Sequence, residues 1–162
     1  MAYRFFSSVL LLSLSIFFSP LQATETTALT QSIKHGAVAS PDQYGALVAE
    51  QILRKGGNAV DAAIATAFTL AVTYPEAGNI GGGGFALLHS ADGEIISLDY
   101  REQAPAAASS EMYLDSNKQV IPQLSTHGPK AAGIPGTVAG MYALHQKYGR
   151  ISWDSLLLPA IT

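Results

Sequence analysis

The chain has no cysteine. No disulfide can form in it, no lipid can be attached through a thiol, and no thiolate is present to complete a zinc site. Charge is scarce as well: 13% of residues are charged and the net charge is −3, which leaves no electrostatic footprint for nucleic acid. The four histidines, His35, His89, His127 and His145, share no metal-ligand spacing, so no metal site is expected and each is read as a surface or hydrogen-bonded structural residue. No Gly-x-Ser-x-Gly elbow surrounds Ser40, Ser125 or Ser152, so none of them is read as a nucleophile.

A run from Phe5 to Phe18 is apolar but interrupted by serines, and it falls short of the roughly 20 residues that span a bilayer. One basic residue, Arg4, precedes it, and Leu21-Gln22-Ala23 follows ahead of the polar Thr24-Glu25-Thr26. This is the layout of a secretory signal peptide over residues 1–23 cleaved after Ala23, preferred over an uncleaved anchor. The membrane is then met only during export, to a periplasmic or secreted location. Without disulfides, the exported remainder, residues 24–162, relies on core burial for stability; the hydrophobic fraction of the whole sequence, 48%, partly reflects the leader, but the alanine-rich apolar helices that remain after it are those of a packed globular protein.

Gly36 to Ala39 is short and apolar enough for a strand. Ser40-Pro41 offers an N-cap and a first-turn proline for a helix from about Asp42 to Lys55, closed by Gly56-Gly57. Asn58 is placed to cap a second helix running to about Thr73, before Pro75. Its sequence, Ala59 to Val72, is apolar on nearly every side, which predicts burial between layers, with Asp61 in the first turn where the helix dipole favours negative charge. Phe85–Ser90 and Glu94–Tyr100, joined by Ala91-Asp92-Gly93, read as an antiparallel hairpin. Ala104 to Gly133 reads as irregular. Pro135-Gly136 opens a helix that Gly149 stops, and Ser152-Trp153-Asp154 starts another that runs toward Thr162. These elements predict a mixed α/β (α+β) fold with a helical layer against a partly antiparallel sheet.

Two features carry chemical interest. The Gly81–Gly84 run invites a phosphate-loop reading, but phosphate loops follow a strand and open a helix, and here the order is helix, glycines, strand. Close backbone approach is the better account of the glycines. Arg101 follows a predicted strand between Asp99 and Glu102, which can hold the guanidinium while its fork takes a substrate carboxylate; a surface salt bridge is the plainer alternative. Leu156-Leu157-Leu158-Pro159-Ala160-Ile161-Thr162 carries no helix stop, so the sequence is expected to be the N-terminal piece of a longer protein.

Several blocks in order carry a resemblance: Gly36-Ala37-Val38-Ala39-Ser40, Ile52 to Ala63, Gly78 to Phe85, Asp99 to Pro105, Gly133 to Gly140, Tyr148-Gly149 and Pro159-Ala160-Ile161. Singly each is weak, but the ordered set resembles the N-terminal part of the large subunit of gamma-glutamyltranspeptidases (glutathione hydrolases). The resemblance covers essentially all of residues 24–162 and implies an N-terminal-nucleophile hydrolase with an αββα sandwich, of which this is the N-terminal portion. It implies a precursor that cuts itself into a large and a small subunit, exposing a threonine whose hydroxyl attacks the gamma-glutamyl amide with its own amine as base. Arg101 matches the arginine that binds the alpha-carboxylate of the glutamyl group. Tyr100 stands where many members have Phe, and the glycines and Asn58-Ala59-Val60-Asp61 carry over as scaffold.

The implied activity is gamma-glutamyl transfer from glutathione and related compounds to water or to amino acid and peptide acceptors, with no cofactor and with the small subunit as partner. No threonine of this chain matches the nucleophile motif, so no catalytic residue is assigned within it. The alternatives are an acylase of the same superfamily acting on glutaryl side chains of beta-lactams, and a non-catalytic secreted binding module.

Overall fold

The computed structural model describes residues 36–162; residues 1–35, which hold the expected signal peptide and His35, lie outside the described residues. Among the described residues the fold has four α-helices and one hairpin: α1 (Gln43–Arg54), α2 (Ala59–Thr73), β1 (Phe85–His89), β2 (Ile95–Asp99), α3 (Thr137–Tyr148) and α4 (Trp153–Ile161). It is the mixed α+β arrangement expected from the sequence.

α1 starts two residues later than Ser40-Pro41 predicts. Asp42 is the N-cap, in an extended conformation, and its carboxylate accepts the Gly45 N–H at 2.7 Å. Pro41 therefore precedes the cap, and the Ser40 hydroxyl oxygen is buried without a hydrogen-bond partner. Gly36 to Ala39 forms no strand: it is exposed, and a strand exists only with a neighbour to receive its hydrogen bonds. At the other end of α1, Gly56 takes φ +91°, the left-handed turn that sends the chain back for α2.

α2 is fixed at its start by a reciprocal capping box. The Asn58 side chain accepts the Asp61 N–H at 3.0 Å, and the Asp61 carboxylate accepts the Asn58 N–H at 2.9 Å. The helix packs against α1, α4 and α3. Its burial is one-sided, which corrects the expectation of a helix covered all round: Val60, Ile64 and Ala65 are buried, whereas Ala63 and Val72 are exposed among the described residues.

The core lies between the helices. Ile52 of α1, Ile64 of α2 and Leu156 of α4 are fully enclosed, with Val48, Met141 and Leu144 around them. On its flank, Trp153 packs edge-on against Phe68 and Tyr142, at centroid distances of 5.5 and 5.2 Å.

The hairpin pairs Phe85 with Asp99, Leu87 with Ser97 and His89 with Ile95 on one face. Ala86, Leu88 and Leu98 on the other face pack against the helical core. The first face is open, with Phe85, Leu87 and Ile95 each about two-thirds or more exposed (65%, 77% and 67%). Residues 104–133 are irregular apart from a 3-10 turn at Pro129–Ala131 and two isolated bridges, Leu114 with Val120 and Gln103 with Ile134. The second bridge returns the chain to the segment that follows β2 and delivers Pro135-Gly136 beside Tyr100. Among the described residues no helix is long and apolar enough to cross a membrane.

Candidate functional site

Side chains alternate along a strand, so Asp99 and Arg101 lie on one face of the chain leaving β2, and the register sets Phe85 across from Asp99 on that face. The consequence is a bracketed guanidinium. Arg101 Nη2 donates to Asp99 Oδ2 at 3.0 Å and Nε to Oδ1 at 3.3 Å, while the Arg101 backbone N–H also donates to Oδ1 at 3.0 Å. The Arg101 guanidinium carbon stands 4.9 Å from the centroid of the Phe85 ring.

Hydrogen bonding from Arg101 holds the Asp99 carboxyl below its ordinary range, and the same bond raises the guanidinium pKa further above its already high value. With side chains 63% and 53% exposed, this ion pair contributes little to folding stability. It orients the fork instead. The pair engages Nε and Nη2; Nη1 has no acceptor among the described residues, so one edge of the fork is free for an incoming anion. Glu102, the other flanking carboxylate, makes no hydrogen bond to Arg101 among the described residues and adds only a minor field that favours the cation.

A groove of about 700 Å³ runs beside Arg101, walled by Gln103, Ile134, Pro135, Gly136 and Gly140. Its α3 wall is built of small residues, so the groove reaches close to the backbone of Tyr100. That residue is half-buried, its phenol pKa raised by burial, and its hydroxyl donates to the Phe85 carbonyl at 3.4 Å.

The glycine run is anchored to the start of α3. The Gly82 carbonyl accepts the N–H groups of Gly136 at 2.9 Å and Thr137 at 3.1 Å, so an oxygen of the protein satisfies the first amides of α3 where an anion would otherwise sit. Sequence reasoning read close backbone approach in these glycines but did not find what they approach, which is Tyr100-Arg101. The spacing of Gly136, Ala139, Gly140 and Ala143 along one face of α3 was the available signal.

The other candidates are dispersed. His89 is exposed at the end of β1, and His127 lies 2.9 Å from the Thr126 hydroxyl in the loop. His145 Nε2 contacts the Ile151 carbonyl at 2.7 Å and its ring leans on Trp153. Ser125 is exposed, and Ser152 pairs with the Ser155 hydroxyl at 2.7 Å. Among the described residues no group of three or more His, Asp or Glu could hold a metal ion.

The gamma-glutamyltranspeptidase family model matches residues 45–162. The glutathione hydrolase proenzyme of Pseudomonas aeruginosa is 60% identical over 141 residues, covering 87% of this chain and 25% of that protein. Among solved structures, gamma-glutamyltranspeptidase from Pseudomonas nitroreducens complexed with L-DON superposes with a TM-score of 0.74 at 63% identity, covering 80% of this chain and 38% of that one. The Helicobacter pylori gamma-glutamyltranspeptidase gives a TM-score of 0.76 at 49% identity, covering 81% and 38%. The chain thus spans about a quarter of the length of the P. aeruginosa relative.

Proposed function

The chain belongs to the gamma-glutamyltranspeptidase family, and from that premise we propose that it is the N-terminal part of an exported gamma-glutamyl transferase and glutathione hydrolase. Residues 1–23 serve as the cleaved signal peptide, and residues 24–162 begin the large subunit of a self-cleaving precursor. Its substrates are glutathione and other gamma-glutamyl compounds, its acceptors water, amino acids and peptides, and its partner the small subunit released by autocleavage.

The reaction is an acyl transfer. A threonine hydroxyl of the small subunit adds to the gamma-glutamyl carbonyl, the threonine's own amine takes the hydroxyl proton and returns a proton to the departing amine, and water or an amino acid then cleaves the gamma-glutamyl ester. This chain contributes the grip on the donor. The observation that carries the reading is the guanidinium of Arg101, held from one side by Asp99 and open on its remaining edge beside the groove. That edge matches a carboxylate, and a gamma-glutamyl group has one on its alpha carbon.

Expression of the complete reading frame tests the proposal. Self-cleavage into two chains and hydrolysis of a gamma-glutamyl anilide faster than of a glutaryl anilide are the expected results. Preference for the glutaryl donor would turn the reading to a beta-lactam side-chain acylase, and a chain that neither cleaves itself nor turns over either donor would turn it to a binding module.

A further inference from the structure

Arg101 is held by an exposed ion pair, and its Cα is held by something firmer. Two glycine segments far apart in sequence close on the peptide that joins Tyr100 to Arg101. A Cβ at Gly83 would lie 2.6 Å from the Tyr100 carbonyl oxygen and 2.7 Å from the Arg101 Cα. From the other side, a Cβ at Gly136 would lie 1.9 Å from that same oxygen. One helical turn on, a Cβ at Gly140 would lie 2.3 Å from Cγ of the Tyr100 ring. The two segments are tied to each other by the Gly82 carbonyl, which accepts the Gly136 and Thr137 N–H groups, and to β2 by the Tyr100 N–H, which donates to the Gly84 carbonyl at 3.0 Å.

Such contacts leave no room for a methyl group at any of the three positions without moving the backbone that carries Arg101. A polar surface loop has no need of that closeness. The groove provides the reason for it, because the reach of the free guanidinium edge depends on where the 100–101 peptide lies.

We infer that Gly83, Gly136 and Gly140 are positioning residues for the donor carboxylate: their missing side chains fix the Tyr100-Arg101 peptide and so set how far Arg101 extends into the groove. The inference rests on the proposed carboxylate role of Arg101. A methyl group at Gly140 pushes on the Tyr100 ring, turns the strand end and withdraws the fork, which weakens binding of donors that carry an alpha-carboxylate more than binding of donors that lack one.

The test uses the complete, processed enzyme and two donors, a gamma-glutamyl anilide and 4-aminobutyryl anilide, which is the same acyl group without its carboxylate. Gly140→Ala is expected to raise KM for the first roughly tenfold or more, with a smaller fall in kcat, and to raise KM for the second several-fold less. In an Arg101→Ala background the same substitution should add nothing, since it acts through the arginine. Gly84→Ala keeps the test alive if Gly140→Ala fails to process: its Cβ would meet the Tyr100 ring at 3.1 Å, a contact that a small ring shift relieves, and it should give a weaker effect with the same donor selectivity. Equal KM increases for both donors, or full additivity with Arg101→Ala, would overturn the inference and leave the glycines as general scaffold. An Arg101→Ala enzyme with unchanged KM is a different result, because it removes the carboxylate reading on which the inference stands.

Discussion

Asp61 Oδ1 accepts the backbone N–H of Arg150 at 3.0 Å, across 89 positions of sequence. The Asp61 side chain is fully enclosed, and the same carboxylate receives the N–H groups of Asn58 at 2.9 Å and Ile151 at 3.3 Å. Its partner in the capping box, Asn58, donates from its amide to the Tyr148 carbonyl at 2.6 Å. One four-residue stretch therefore caps α2 and also stitches the α3–α4 turn to it. A buried carboxylate with backbone donors on both oxygens has its charge compensated without a cationic side chain.

Replacing Asp61 with alanine leaves three part-buried backbone N–H groups without their acceptor. The expected loss is about 3 kcal/mol or more, and Asp61→Asn, which keeps one acceptor oxygen, should lose less. Denaturant titration of the complete protein measures both. A midpoint for Asp61→Ala within error of the parent would mean that water reaches these amides and that the latch is dispensable.

The path from sequence to this fold was clear where local chemistry is self-sufficient. Asn58, Gly56 and Gly149 mark helix ends because cap geometry is settled within a few residues, and the hairpin follows from two apolar runs around Ala91-Asp92-Gly93. It was less clear where two neighbours compete for one role, as with Ser40 and Asp42 at the start of α1. It was opaque where the partner is remote. Asp61 reads as a dipole-compensating residue until the α3–α4 turn folds onto it, and the glycines read as close backbone approach without a partner until Pro135-Gly136 arrives at Tyr100-Arg101 from the far side. Arg101 itself stood out through its flanking carboxylates, of which the structure uses only Asp99 as a hydrogen-bonding partner.

The Asp99–Arg101 pair fixes a pH dependence. Hydrogen bonds from Arg101 hold the folded pKa of Asp99 below that of an ordinary aspartate, so its hold on Arg101 is fully present above the ordinary carboxylate range and is lost only as pH falls through the still lower folded pKa. KM for a gamma-glutamyl donor should then show no contribution from Asp99 between about pH 5 and about pH 7. Asp99→Asn should raise KM a few-fold across that whole window while leaving its shape unchanged. A KM profile that bends near neutral pH in the parent and straightens in Asp99→Asn would contradict this assignment.

The open face of the hairpin predicts the behaviour of the chain on its own. Phe85, Leu87 and Ile95 present adjoining apolar surface that, apart from the Arg101 guanidinium beside the Phe85 ring, is open among the described residues. Residues 24–162 expressed alone are expected to self-associate or precipitate, and Leu87→Glu with Ile95→Lys should shift the material toward monomer. Size-exclusion chromatography with light scattering reads the outcome. A monodisperse monomer from the unmodified segment, with a cooperative thermal transition, would show that the face tolerates water.

Arg101 carries the last prediction, made for the complete enzyme. Its guanidinium is placed by Asp99 and the Phe85 ring, with one edge of the fork free beside the groove. On the proposed carboxylate role, Arg101→Ala removes a charge-assisted contact to the donor and is expected to lower kcat/KM roughly a hundredfold, chiefly through KM. Arg101→Lys keeps the charge but loses the planar fork and the side-on pairing with Asp99, so it should recover only part of the loss. Phe85→Leu removes the ring against the guanidinium and should cost less than either, about 0.5 to 1 kcal/mol, as expected of an exposed cation–π contact. The order of effects separates a binding role from a structural one: a residue that only stabilises the strand end would change the unfolding midpoint and leave the donor KM in place. Kinetics with glutathione, run beside thermal unfolding of each variant, decide between them. Unchanged KM and kcat in a normally processed Arg101→Ala enzyme would return Arg101 to an exposed salt bridge with Asp99.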